Sequence, residues 1–203
     1  MKSLFVTDRS AVGSDRLAVV LDRLAGAPEL AVTLRETSGT DREIVDRARD
    51  ARGRLGEANP LYLSRRFDLA LAAGAAGVHL PGNGLPISAV RPATPRGFRV
   101  GVSTHSASEA DAAIAAGADF LVIGPIFDTP SKRAYGAPLG PEALASLPPR
   151  QTHGCDVFAI GGVDEERLPE LEPYRDRISG VAAVRLFQDS EDPRGVAERI
   201  AAR

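Results

Sequence analysis

Two rhythms of apolar and polar positions alternate from one end of the chain to the other. Short runs that are apolar on both faces occur near Leu4–Thr7, Leu30–Leu34, Leu61–Leu63, Gly77–Leu80, Phe98–Val102, Phe120–Ile123, Val157–Ile160 and Gly180–Val184. Such runs read as parallel strands covered on both sides. Between them lie Asp15–Ala25, Thr40–Arg54, Arg66–Ala73, Pro86–Ala93, Ser106–Ala116, Pro141–Leu147, Glu165–Leu171 and Pro193–Ala202, whose apolar positions recur every three or four residues. These read as amphipathic helices. Thr40 with Glu43 and Ser106 with Glu109 have the spacing of capping boxes. Eight strand–helix pairs predict a single (β/α)8 TIM barrel, α/β in class, that fills residues 1–203 as one domain. A doubly wound sheet is the rival architecture, but it usually stops at about five or six strands.

Composition changes this picture little. The chain has 203 residues, 43% hydrophobic and 26% charged, with a net charge of -2. That balance argues against nucleic acid or an acidic membrane as a partner. No apolar stretch is long enough to span a bilayer, and the first residues lack the pattern of a cleavable signal. The lone cysteine, Cys155, excludes an internal disulfide, reads as a small apolar filler and makes the cytoplasm the expected location. A pair of barrels as a homodimer is compatible with this size.

In a barrel of this kind the chemistry sits in the loops after the C-terminal ends of the strands. Those positions hold Arg35 and Glu36, Ser64 and Arg65, Pro81–Gly84, Ser103 to His105, Pro125, Gly161 and Gly162, and Arg185. The long connection Pro125–Leu139 after the sixth strand reads as a lid and carries Lys132. Arg35, Arg65, Lys132 and Arg185 are cations, with Asp8 and Glu36 the nearest anions. Two adjacent glycines before a helix allow a backbone to approach a phosphate closely. Together these features predict an anionic ligand, a small phosphorylated molecule.

Six motifs in register then carry a resemblance: Leu4–Arg9 (LFVTDR), Leu34–Glu36 (LRE), Phe67–Leu71 with Gly77–Leu80 (FDLAL…GVHL), Gly101–Ser106 (GVSTHS), Gly124–Thr129 (GPIFDT) and Ala159–Gly162 (AIGG). In order and spacing the chain resembles the thiamine phosphate synthase and thiazole tautomerase (TenI-type) superfamily. The resemblance implies a reaction between a pyrimidine diphosphate and a thiazole phosphate. Diphosphate leaves, and the thiazole nitrogen captures the pyrimidine cation. By position it makes Arg35, Ser103 and Lys132 diphosphate ligands, with Gly161 and Gly162 at the thiazole phosphate. It also implies magnesium.

The departures from the family pattern are concentrated at that metal. The family pair Asn-Asp after the third strand is Ser64-Arg65 here, and the second carboxylate, expected near position 84, is replaced by Pro81-Gly82-Asn83-Gly84. Thr37 stands where a lysine is usual, and Arg185 where a serine is. Magnesium requires hard oxygen ligands, so no metal and no other cofactor is expected. Arg65 facing diphosphate in place of the carboxylate leaves a metal-independent synthase open. The primary expectation is a tautomerase-like enzyme that binds a thiazole phosphate, with His105 as acid–base group and Arg65 and Lys132 assisting. Around them Arg35, Ser64, Ser103, Gly161, Gly162 and Arg185 bind substrate. Against it, the tautomerase histidine after the sixth strand is Pro125 here. His79 reads as structural and His153 as inert. A non-catalytic phosphate-ligand-binding or regulatory paralogue is the reading from a different class.

Overall fold

The computed structural model describes residues 1–129 and 136–203. Eight parallel strands close into a barrel in chain order: β1 (Lys2–Val6), β2 (Leu30–Leu34), β3 (Leu61–Ser64), β4 (Gly77–Leu80), β5 (Arg99–Thr104), β6 (Phe120–Ile123), β7 (Asp156–Ile160) and β8 (Gly180–Ala183). β8 returns to β1 with Ala182 beside Leu4. The expected (β/α)8 barrel is the fold of this chain.

Inside the barrel, Leu4, Val6, Tyr62, Phe120, Val122, Phe158 and Ala182 form a core of their own. Phe120 is its centre. Its ring stacks on Tyr62 at 4.6 Å and meets Phe158 edge-on at 6.5 Å. The ring fits because β5 presents Gly101 to it; a Cβ there would stand 2.1 Å from the ring. Burying such a side chain contributes about 2–3 kcal/mol. At the N-terminal end of the barrel, Asp156 receives Lys2 at 2.8 Å and Arg99 at 2.9 Å, and Arg99 also reaches the Tyr62 hydroxyl. Burial alone would raise the Asp156 carboxyl, but these hydrogen bonds outweigh it and hold the group below the usual carboxylate range. These side chains fill the bottom of the barrel.

The helices form a second, larger core against the outer face of the strands. They are α1 (Arg9–Leu24), α2 (Asp41–Leu55), α3 (Phe67–Ala73), α4 (Ile87–Val90), α5 (Ala107–Ala115), α6 (Leu168–Leu171), α7 (Arg185–Gln188) and α8 (Pro193–Ala201). The Thr40–Glu43 capping box is complete. At Ser106 only half forms: its hydroxyl accepts from the Glu109 amide, while the Glu109 carboxylate reaches past it to the His105 amide.

Four helical segments depart from the sequence pattern. α1 begins at Arg9 rather than Asp15, with a break at Gly13, whose φ of 80° is outside helical space. Pro86–Ala93 shortens to α4 and a 3-10 turn, Arg91–Ala93. Pro141–Ser146 is a 3-10 helix, not an α-helix, and Glu165–Leu171 contracts to α6. The last three lie beside prolines, which remove backbone donors and disfavour α geometry just before themselves. Among the described residues no helix is long and apolar enough to cross a membrane.

Candidate active site

Strand alternation sends every second side chain into the barrel, so residues two apart share that face. Tyr62 therefore brings Ser64 with it, and Gly101 brings Ser103. From β2 and β4 come Thr33 and His79. These four polar side chains form a floor beneath the open end. Thr33 Oγ1 lies 3.2 Å from His79 Nδ1, and His79 Nε2 lies 3.0 Å from Ser103 Oγ. Ser64 Oγ is shielded from solvent and has no hydrogen-bond partner among the described residues. Burial pushes the His79 imidazole down to about 4, so near neutral pH it is uncharged. A neutral imidazole offers one donor and one acceptor.

Above the floor, the rim arginines divide into two groups. Arg35 is ion-paired with Asp8, and its amide donates to the Thr7 hydroxyl. Glu36 turns away from the mouth: its side chain is 1% exposed and held by Arg9 and Arg47, each at 2.9 Å. Arg47 also binds the Ser38 carbonyl. Arg65 and Arg185, both exposed, make no side-chain hydrogen bond or ion pair with any described residue. Arg65 has a left-handed backbone, φ 70°, fixed by its amide donating to the His79 carbonyl at 2.9 Å. That conformation costs a residue with a side chain about 1 kcal/mol or more. Its neighbour Arg66, by contrast, is fully engaged by Asp41 and Asp68.

After β7, Gly161 and Gly162 have φ of 97° and 65°. They pack under the start of the β6 loop: Ile126 donates to the Ile160 carbonyl and Phe127 to the Gly161 carbonyl. The Gly161 and Gly162 amides find no backbone acceptor among the described residues. After β8 the chain turns at once into α7, which begins at Arg185. Gln188, buried at the end of α7, accepts from the Asp8 amide and ties this corner to β1.

Most sequence-derived candidates thus meet at one end of the barrel: Arg35, Ser64, Arg65, Ser103, Gly161, Gly162 and Arg185. His105 stands apart from the floor: its side chain is 53% exposed at the rim and lies 3.6 Å from Glu109. The parity of β5 explains this, since Ser103 points inward and the chain has left the strand two residues later. Lys132 lies outside the described residues. Three contributors went unnoticed in the sequence: Thr33, Gln188 and Arg167. Arg167 donates to the Gly162 carbonyl at 3.2 Å and lies over the Phe127 ring at 5.0 Å. Thr33 was accessible by parity, being two residues before Arg35. Nothing in the local pattern marks the other two.

A family model described as thiamine monophosphate synthase matches residues 3–187, which include the floor, the rim and the two glycines. The chain belongs to the thiamine monophosphate synthase family. A Geobacter sulfurreducens protein named "Putative thiamine-phosphate synthase" is 42% identical over 193 residues, covering 93% of this chain and 87% of that protein. The thiamine-phosphate synthase of Syntrophomonas wolfei is 32% identical over 197 residues, covering 96% and 92%. Among solved structures, thiamine phosphate pyrophosphorylase from Pyrococcus furiosus superposes with a TM-score of 0.82 at 26% identity, over 99% of this chain and 94% of that one.

The family implies magnesium, and the residues at its expected place do not fit the ion. Arg65 brings a positive charge to one expected carboxylate position, and Gly84 has no side chain at the other. The rim carboxylates Asp8 and Glu36 are committed to arginines. Among the described residues no group of three or more His, Cys, Asp or Glu side chains is arranged to hold a metal. A hard dication needs anionic oxygens and is repelled by a guanidinium.

Proposed function

We propose that this family member is a thiamine phosphate synthase that handles its diphosphate leaving group with arginine instead of magnesium. In this reaction the bond between the pyrimidine methylene carbon and the diphosphate oxygen breaks, and the electron pair leaves with diphosphate. The thiazole nitrogen then donates its lone pair to that carbon. The new C–N bond makes a thiazolium, so no proton need be transferred. That balance suits a mouth without an acid–base histidine: His105 is turned to the rim and Pro125 occupies the position after β6. A tautomerase, which must move a proton, has less to work with here, and the names of the relatives favour the synthase.

The observation that carries the reading is the pair of arginines, Arg65 and Arg185, that have no side-chain partner among the described residues. Arg65 follows β3 and Arg185 follows β8, so the two cations flank different parts of the mouth, as two phosphorylated substrates require. Arg65 would face the diphosphate. Arg185, with the amides of Gly161 and Gly162, which have no backbone acceptor among the described residues, would face the thiazole phosphate. One well-placed arginine is worth about 10³–10⁵ in rate in phosphoryl transfer, which is enough to replace a metal contribution of several kcal/mol. The lone, unpaired cysteine is in keeping with work in the cytoplasm. The test is to supply both substrates and follow diphosphate release together with thiamine phosphate. Release that depends on the thiazole phosphate supports the synthase. Isomerisation of the thiazole phosphate without release would establish the tautomerase instead.

A further inference from the structure

The polar chain under the mouth runs from the core outward. Thr33 is 1% exposed, His79 is 7% exposed, and Ser103 is half-buried at the opening. The first contact is 3.2 Å and the second 3.0 Å. A neutral imidazole in this chain has two arrangements. With the proton on Nδ1, His79 accepts from Ser103, and the serine presents only lone pairs to the mouth. With the proton on Nε2, His79 donates to Ser103 Oγ, and the serine hydrogen is free to point outward. Thr33 accommodates either arrangement, because its hydroxyl both donates and accepts. An anionic oxygen above Ser103 selects the second.

We propose that His79 is a positioning residue: bonded to Thr33 and carrying its proton on Nε2, it turns the Ser103 hydroxyl hydrogen toward an anionic phosphate oxygen in the mouth. This rests on the proposed synthase reading, in which Ser103 faces the diphosphate, and it adds the group that dictates the direction of that hydroxyl. The Phe120 ring packs against the imidazole in a T-shaped arrangement, ring centroids 5.4 Å apart, and restricts its rotation. Burial keeps the ring uncharged, so the chain works through the choice of tautomer and not through charge. Ser64, whose Cα pairs with that of His79 across the β3–β4 ladder, supplies a second hydroxyl at the same level, with no partner among the described residues.

Binding of inorganic diphosphate, measured by calorimetry, tests this through a double-mutant cycle. Ser103→Ala and His79→Leu should each weaken binding about tenfold, the cost of one hydrogen bond to a charged group. The double variant should bind no more weakly than either single one, because His79 acts only through Ser103. His79→Gln, whose amide can still donate to the serine, should recover most of the loss, which a merely space-filling role would not allow. Thr33→Val, close in shape to threonine, should weaken binding several-fold in the wild-type background and not at all beside Ser103→Ala; it remains informative if His79→Leu does not fold. Multiplying losses from Ser103→Ala and His79→Leu, or a folded His79→Gln no better than His79→Leu, would overturn the role of His79 alone. If Ser103→Ala leaves diphosphate binding unchanged, Ser103 does not face the anion, and both that part of the synthase reading and the role of His79 fail.

Discussion

Gly161 lies so close to Pro125 that a Cβ on the glycine would stand 2.6 Å from the Cα and Cβ of the proline. The glycine therefore serves two ends at once. It lets the β6 loop close down on the end of β7, and its φ of 97° is in the region that side chains rarely adopt. Gly161→Ala should cost about 2 kcal/mol or more from the clash and the backbone strain together. Chemical denaturation would show that loss, and calorimetry should show weaker binding of the thiazole phosphate at conditions where the variant is folded. A variant as stable as the parent would mean that the Pro125 contact is easily relaxed.

Arg65 shows the opposite balance. Its left-handed backbone is costly for arginine and easier for asparagine, whose short polar side chain tolerates that region. Arg65→Asn should thus keep or gain stability, by up to about 1 kcal/mol, while diphosphate affinity falls about tenfold or more. Improved stability alongside lost binding is the signature of a residue held in a strained conformation for its ligand. Unchanged diphosphate affinity would make Arg65 an ordinary surface residue.

Glu36 is the keystone of the β1–β2 side of the mouth. Neutralising it leaves Arg9 and Arg47 without their shared anion. Glu36→Gln should cost about 2–4 kcal/mol, somewhat less than a fully buried pair because both arginines retain some solvent. A fall in urea midpoint with no change in slope would report this directly. An unaltered midpoint would show that the two arginines find other acceptors.

His79 makes stability depend on pH in a definite direction. The unfolded histidine takes up a proton near pH 6.5, whereas burial delays uptake in the folded protein to about pH 4. Between those values the unfolded state binds more protons, so stability is lost as pH falls through that window. At pH 5 the loss from this group should be about 2 kcal/mol relative to pH 7. His79→Leu has no proton to gain and should lack that component in urea titrations at the two pH values. Equal losses in both proteins would place the pH sensitivity elsewhere.

The barrel was legible because it is a matter of period. Runs such as Phe120–Ile123 and Gly77–Leu80 are apolar on both faces, and their bounds coincide with the observed strands. The helices were less legible wherever proline intervened, as at Pro141 and Pro169. α7 was missed because four residues continuing a strand have no period to detect. At the site, the strand ends pointed to the right loops, since in a barrel those loops converge whatever they contain. Which rim cations are free could not be read from the chain: Arg35 and Arg65 look alike until Asp8 is found beside one of them. The contacts of His79 could not be read from the chain either, since its partners lie 46 and 24 residues away, on β2 and β5.

Departure of diphosphate assisted by arginine rather than by metal can be followed directly. The purified protein should be given the pyrimidine diphosphate and the thiazole phosphate, once with magnesium and once with excess chelator, and thiamine phosphate followed over time. Product should form in both conditions at similar rates, and little in either with Arg65→Asn. Product only with magnesium, or none in either condition, would contradict it.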